Sequence, residues 1–238
     1  MNNRSRSKAA EWTAKNSEGF VSPVGITVDT VVFTVRDERL QVLLVERDEH
    51  GVKAIPGGFV SRTEDVTDTA SRKLMEKTGL AEAYLEQLAA FTAPYRDPRG
   101  WIPSIAFVAL VPPRTEPSVS SACWVDARLT HRLAFDHEQI LNLAVSRIAG
   151  KLWWSNIAVG ILAEPFTLAE ARGVYQAISQ KQYDPSTFAR DLKATGLVVP
   201  TGDMRSTSPG RPATLFRFSA TQPVWGEGNR KRLASPDG

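Results

Sequence analysis

Cysteine occurs once in the 238 residues, as Cys123, so no disulfide can close within the chain. Histidine occurs three times, at His50, His131 and His137. These have no metal-ligand spacing to one another or to the cysteine, and no chemistry is assigned to them. No Ser-His-Asp or Cys-His set stands out. No apolar run approaches the roughly 18 residues of a membrane-spanning helix, and the opening Met1 to Lys15 lacks the apolar centre of a signal peptide. A cytoplasmic protein with no membrane partner is expected. Nor does one sign of charge dominate, because 29 Lys and Arg stand against 26 Asp and Glu. Affinity for nucleic acid would have to come from where the charges sit.

What is present suffices for two cores, with 42% hydrophobic residues in a chain long enough for two small domains. Residues 1–20 carry Arg4, Arg6, Lys8 and Lys15 with little to bury, and read as a flexible basic tail. Ile26 to Val35 and Leu40 to Val45 read as strands, joined by the polar turn Arg36-Asp37-Glu38-Arg39. Pro56-Gly57-Gly58 supplies a sharp turn where backbone comes close to a ligand. Tyr84 to Phe91 reads as a strand, and Ile105 to Val111 as one buried on both faces. Asp136 to Lys151 carries the broad apolar face of a helix.

From Gly58 the chain shows Gly, five residues, Glu64, seven residues, then Arg72-Lys73-Leu74-Met75-Glu76-Lys77-Thr78-Gly79-Leu80. This resembles a Nudix box, with lysines at 73 and 77 where the family has glutamates. On a helix, positions 73, 76 and 77 crowd one face. In the family three carboxylates there hold a divalent metal, which bridges a pyrophosphate to the attacking water. Lys73, Glu76 and Lys77 instead carry a formal +1 in place of −3, so no metal, no catalytic residue and no required cofactor are expected. Ala70, Leu74 and Thr78 form the core-facing stripe, Arg72, Lys73, Glu76 and Lys77 face the groove, and Gly79 ends the helix. The resemblance implies an α/β/α sandwich over residues 21–155, with Arg47 at the end of the second strand facing a nucleotide. Gly58, Phe59, Arg72, Lys73, Glu76 and Lys77, with Arg96 and Arg99 from the loop Tyr95 to Gly100, complete the expected ligand set.

Leu152 to Pro165, with Trp153-Trp154 and Ile157 to Leu162, is too apolar for a free linker and is expected to pack between domains or between subunits. Thr167-Leu168-Ala169-Glu170 is a capping box, and Ala171, Val174, Tyr175 and Ile178 mark the buried stripe of the helix it starts. Asp184-Pro185 starts a second helix, running to about Thr195. Phe188 and Leu192 face inward, leaving Ser186, Thr187, Arg190 and Lys193 outward. Two strands, Leu197 to Val199 and Thr214 to Phe218, flank a loop holding Arg205 and Arg211. From Pro185 to Phe218, basic residues outnumber acidic ones five to two. That is a winged helix-turn-helix over residues 156–222, with Ser186, Thr187, Arg190, Lys193, Arg205 and Arg211 as DNA contacts. A polar tail, 223–238, follows.

A broken Nudix box followed by a winged helix resembles the Nudix-related transcriptional regulators of NAD metabolism, the NrtR type. The combination is joined by Arg96-Asp97-Pro98-Arg99-Gly100, Leu133-Ala134-Phe135-Asp136-His137 and Gly210-Arg211-Pro212-Ala213. The expected fold class is α+β. The resemblance implies a homodimer that binds a palindromic operator in double-stranded DNA and represses NAD biosynthesis or salvage genes, with ADP-ribose or a related nucleotide as effector. The rival reading is an ADP-ribose pyrophosphatase working through Glu64, Glu76 and acids outside the box.

Overall fold

The computed structural model describes residues 25–47, 52–80, 85–129, 132–206 and 212–220. Both tails, His50, His131 and Arg211 lie outside these ranges. The N-terminal part is a seven-stranded sheet built from β1 (Thr27–Arg36), β2 (Arg39–Glu46), β3 (Lys53–Ala54), β4 (Gly57–Phe59), β5 (Leu85–Phe91), β6 (Ser104–Leu110) and β7 (Ala122–Asp126). Its main path runs β3-β2-β1-β6-β5, with β4 added to β1 and β7 to β2. β1 and β6 pair in parallel from Thr27↔Ser104 to Phe33↔Leu110. The tight turn between β1 and β2 puts Asp37 and Glu38 at positive φ, which suits the twist of a two-residue hairpin.

Two helices sandwich this sheet: α1 (Val66–Thr78) and α2 (His137–Lys151). Side chains on a strand alternate between faces, and the core divides accordingly. Val31, Phe33 and Val35 of β1 join the cluster containing Ile140, Leu141, Ala144 and Ile148 of α2. Val32 belongs to the cluster of Leu74 on α1, and Val28 meets Ala70. With both faces covered, these strands read as unbroken apolar runs rather than as alternating ones. Asp65 caps α1 by accepting from the Thr67 and Asp68 amides, and Gly79 closes it in the left-handed conformation at φ 78°.

The C-terminal part holds α3 (Leu168–Ser179), α4 (Pro185–Ala194) and a three-stranded sheet ordered β8 (Phe166–Thr167), β10 (Ala213–Phe218), β9 (Val198–Arg205). The capping box is formed: Thr167 Oγ1 accepts from the Glu170 amide while Glu170 takes the Thr167 amide. β8 went unread in the sequence because two residues before a helix carry no period of their own. Asp184 caps α4, and its carboxyl is pulled down to about 2, chiefly by the Ser186 hydroxyl and then by the Thr187 amide.

The connector packs within the chain. Trp153 sets its ring edge-on against Tyr175, Tyr183 and Phe188, at centroid distances of 5.2–5.5 Å. Leu152, Ala158 and Ile161 are buried in a cluster that runs without a break from Val31 and Ile140 to Phe188 and Phe216. Of the two expectations, the packing is between domains, so the connector's apolar character is no argument for a subunit contact. Replacing Phe188 by alanine removes a fully buried ring from this seam and should cost about 3–5 kcal/mol. Urea unfolding followed by tryptophan fluorescence should move to a lower midpoint while remaining a single transition, because one core serves both parts.

Candidate functional site

A cavity of ≈340 Å³ opens where β1, β2, β4, the loop carrying Arg96 and the start of α2 meet. Its floor is a buried polar cluster centred on Asp29 of β1. The Ser104 hydroxyl donates to Asp29 Oδ2 at 2.6 Å, and Arg96 and His137 approach the same carboxylate at 3.6 and 3.4 Å. His137 Nδ1 accepts the Ile55 amide at 2.9 Å. The neutral ring therefore carries its proton on Nε2, facing Asp29. Burial lowers the His137 pKa, partly offset by Asp29 and Asp136, so the imidazole stays neutral and serves as a strut. Gly57 is required here, because a Cβ would run into the Val28 carbonyl and the Asp29 carboxylate.

Arg96 is in the wall, but its guanidinium is taken. Its side chain is 3% exposed and makes a two-pronged bond to Asp136, at 2.8 and 2.6 Å, with a third bond to the Ile102 carbonyl. Read from sequence as a ligand arginine on the 95–100 loop, it does line the cavity, with its guanidinium engaged by Asp136 and the Ile102 carbonyl. Arg99 is held by Asp97 at 2.6 Å and lies over the rings of Phe59 and Phe135, at 5.1 and 5.4 Å. Arg47 lies over Phe135 at 4.0 Å. Arg47, Phe59 and Arg99 thus meet in one aromatic and cationic wall. Phe135, quoted from the sequence only as part of the Leu133–His137 run, completes this wall, and neither it nor Asp29 in the floor was read as a site residue, since only tertiary folding brings them there.

The box helix contributes less to this cavity than its pattern suggested. Gly58 and Lys77 line it, whereas Arg72, Lys73 and Glu76 are engaged with one another and with Glu64. Arg72 grips Glu64 through two bonds of 2.7 and 2.6 Å, and this pairing holds the Glu64 carboxyl below the usual range. Lys73 Nζ donates to Glu76 at 2.8 Å, holding the Glu76 carboxyl low, while its stem lies where a Cβ on Gly58 would be. An ammonium therefore sits against the one glutamate of the three that this box retains. No group of three or more His, Cys, Asp and Glu suited to a metal occurs among the described residues.

On the C-terminal part, Ser186, Thr187, Arg190 and Lys193 stand exposed along α4. The Ser186 hydroxyl is already spent on Asp184 at 2.6 Å, and Arg190 rests on its neighbour Asp191 at 2.9 Å, a solvent-accessible pair of little strength. Arg205 is not in the loop. It ends β9 and is tied to Glu170 at 2.9 Å and to the Pro165 carbonyl, because a carboxylate 35 residues earlier reaches it.

A seven-stranded sheet sandwiched by helices, with a pocket beside the box and a winged helix behind it, defines a Nudix domain joined to a DNA-binding module of the winged type. Residues 26–143 match the NUDIX domain model, and residues 158–218 match the NrtR DNA-binding winged helix domain. The chain is 34% identical over 212 residues, 84% of each protein, to the ADPR responsive transcriptional repressor NtrR of Acinetobacter baylyi. It superimposes with a TM-score of 0.72 on Shewanella oneidensis NrtR complexed with a 27mer DNA, at 37% identity, covering 81% of this chain and 93% of that one. A shorter similarity, 35% over 108 residues, covers 43% of this chain and 64% of an ADP-ribose pyrophosphatase from Methanocaldococcus jannaschii. The chain belongs to the NrtR family.

If Arg96 is a brace, Arg96→Met should lower stability by about 3–5 kcal/mol, since it leaves buried carboxylates without their counter-charge. Thermal and urea unfolding would register that loss. A variant of unchanged stability with weakened nucleotide binding would instead make Arg96 a ligand contact.

Proposed function

We propose that this protein is a transcriptional repressor of NAD biosynthesis or salvage genes, which binds a palindromic operator as a homodimer in the cytoplasm and senses ADP-ribose or a related nucleotide without hydrolysing it. The observation that carries the reading is the pairing, in one chain, of an exposed recognition helix with a Nudix pocket whose box holds Lys73 against Glu76. The A. baylyi relative, described as an ADPR responsive repressor, and the S. oneidensis relative crystallised with DNA support it. The division lies near residues 155–156. Two-fold symmetry of the protein would be matched by half-sites one or more helical turns apart, at multiples of about 10 base pairs.

The nucleotide enters the ≈340 Å³ cavity, where flat rings and guanidinium groups offer stacking surface. Lys77 and Arg47 supply charge to the pyrophosphate. The pyrophosphatase alternative would use Glu64 and Glu76 with acids outside the box, of which Glu46 lines the cavity; the pairing of the two box acids supports sensing instead. Glu64 is committed to Arg72 and Glu76 to Lys73, and neither lines the cavity. A steady-state assay with ADP-ribose and magnesium tests the choice directly, with turnover favouring the enzyme.

On α4, Arg190 is free to leave Asp191 for a base edge, and Arg190→Ala should weaken binding to the selected operator by about 1–3 kcal/mol. Arg211→Ala should mainly reduce the salt dependence if it meets phosphate. Anisotropy titrations at several salt concentrations measure both, and parental behaviour from both variants would mean that the module reads DNA through other residues.

With Lys77 at the cavity wall and Lys73 neutralising Glu76 where the family holds a metal, ADP-ribose is expected to bind fully in chelator. Lys73→Glu/Lys77→Glu should lose that affinity while keeping operator affinity, and magnesium should restore some of it. Calorimetry on the parent and the double variant decides this. Strict magnesium dependence in the parent would sink the idea.

A further inference from the structure

Among the described residues three acids line the cavity: Asp29, Glu46 and Asp97. Asp29 is engaged by Ser104, Arg96 and His137, and Asp97 by Arg99. Glu46, the last residue of β2, differs. Its backbone is fixed by an amide bond to the Ser121 carbonyl at 2.8 Å and by pairing with Lys53 of β3. Alternation along β2 carries it to the side of Val42 and Leu44, which share a core with Val31 of β1, and that is the side of Asp29. Its carboxylate has no hydrogen bond or ion pair among the described residues. Lys53, directly opposite and the natural counter-charge across the strands, donates to Cys123 Sγ at 3.1 Å instead. The Ser121 hydroxyl, also in the lining, has no partner among the described residues either.

An unpaired anion is out of place beside a pyrophosphate. Like charges repel, so a carboxylate in the wall weakens the hold on phosphate oxygens unless it meets a part of the ligand that donates. Glu46 can only accept, through two oxygens. In a nucleoside diphosphate sugar the donors are the base amine and the ribose hydroxyls. A ribose presents two neighbouring hydroxyls, one for each carboxylate oxygen, and a hydroxyl that donates to Glu46 can still accept from Ser121. The base amine puts both its protons on one nitrogen and accepts nothing. The ribose is therefore the better match to this corner, and carboxylates take ribose hydroxyls in the same way in dinucleotide-binding folds.

We propose that Glu46, assisted by Ser121, is the specificity residue for the sugar of the effector, accepting a hydrogen bond from each of two neighbouring ribose hydroxyls. Bonds of this kind to a charged acceptor are about twice as strong as neutral ones. The ring wall around Phe135 is then left to the base, and Lys77 to the pyrophosphate. A bare phosphate or pyrophosphate has no hydroxyl to offer the carboxylate and meets it only as a repulsive charge. This rests on the cavity being the effector site proposed above. It adds which group of the ligand is recognised there, and by which residue.

The test is calorimetry on the full chain with ADP-ribose, ADP and 2′-deoxy-ADP, each in chelator and in magnesium. Glu46→Ala should weaken ADP-ribose binding about 10–100-fold in chelator, the usual range for hydrogen bonds to a charged group. Glu46→Gln, which keeps the length and one acceptor, should lose less. The other two ligands say which ribose is read. If it is the one on adenine, ADP loses affinity by the same factor and 2′-deoxy-ADP by markedly less; if it is the terminal one, ADP binds parent and variant alike. Equal losses for ADP and 2′-deoxy-ADP would assign Glu46 to the base amine and overturn the ribose reading. A loss confined to magnesium would make Glu46 a metal ligand and overturn it too, as would parental affinity for ADP-ribose in Glu46→Ala. A parent that binds no ADP-ribose overturns the effector reading itself.

Discussion

Asp29 is the point on which the Nudix half converges. A buried carboxylate is tolerated only when its oxygens are partnered, and here three partners and the room for them come from four separate stretches. They are Ser104 on β6, Arg96 in the loop before it, His137 at the start of α2, and Gly57, whose missing side chain leaves the room. Satisfying one charge thus fixes the parallel register of β1 against β6, the approach of the Gly57–Phe59 turn and the position from which α2 departs. The pocket above is a by-product of that arrangement, and its shape is as rigid as the cluster beneath it.

Local signals were legible in proportion to how local they are. The Thr167–Glu170 box, the Asp184-Pro185 start and Gly79 act within a few residues, and each marks a helix end in the structure. The two-sided burial of β1 and β6 showed in their apolar runs, and the order of domains in the succession of motifs. Partners distant in sequence did not show. Arg96 finds Asp136 across 40 positions and Asp29 finds Ser104 across 75, and nothing in either neighbourhood announces it. The box helix illustrates the same limit differently. Helical spacing placed its charged residues on one face, but which of them point into the cavity depended on who paired with whom. Arg72 and Lys73 went to glutamates at 2.6–2.8 Å, and Lys77, 3.7 Å from Glu76, also reaches the cavity wall.

The connector is the other place where composition spoke before geometry. Its tryptophan and aliphatic residues demanded burial, and the answer lies within the chain, where Trp153 closes an aromatic cluster on α3 and α4. The two halves are therefore separate in motif yet continuous in their packing. Such a seam makes any motion of the winged helix a sliding of apolar surfaces, with few polar contacts to choose its angle.

Glu170 has a consequence of another kind. One of its oxygens closes the capping box with Thr167, and the other holds Arg205 at the far end of β9. The first turn of α3 and the strand that carries the wing are thereby stapled to each other by a single side chain. A wing held in this way has surrendered much of its freedom before any duplex arrives. Less entropy is left for the root of the wing to lose in any docking.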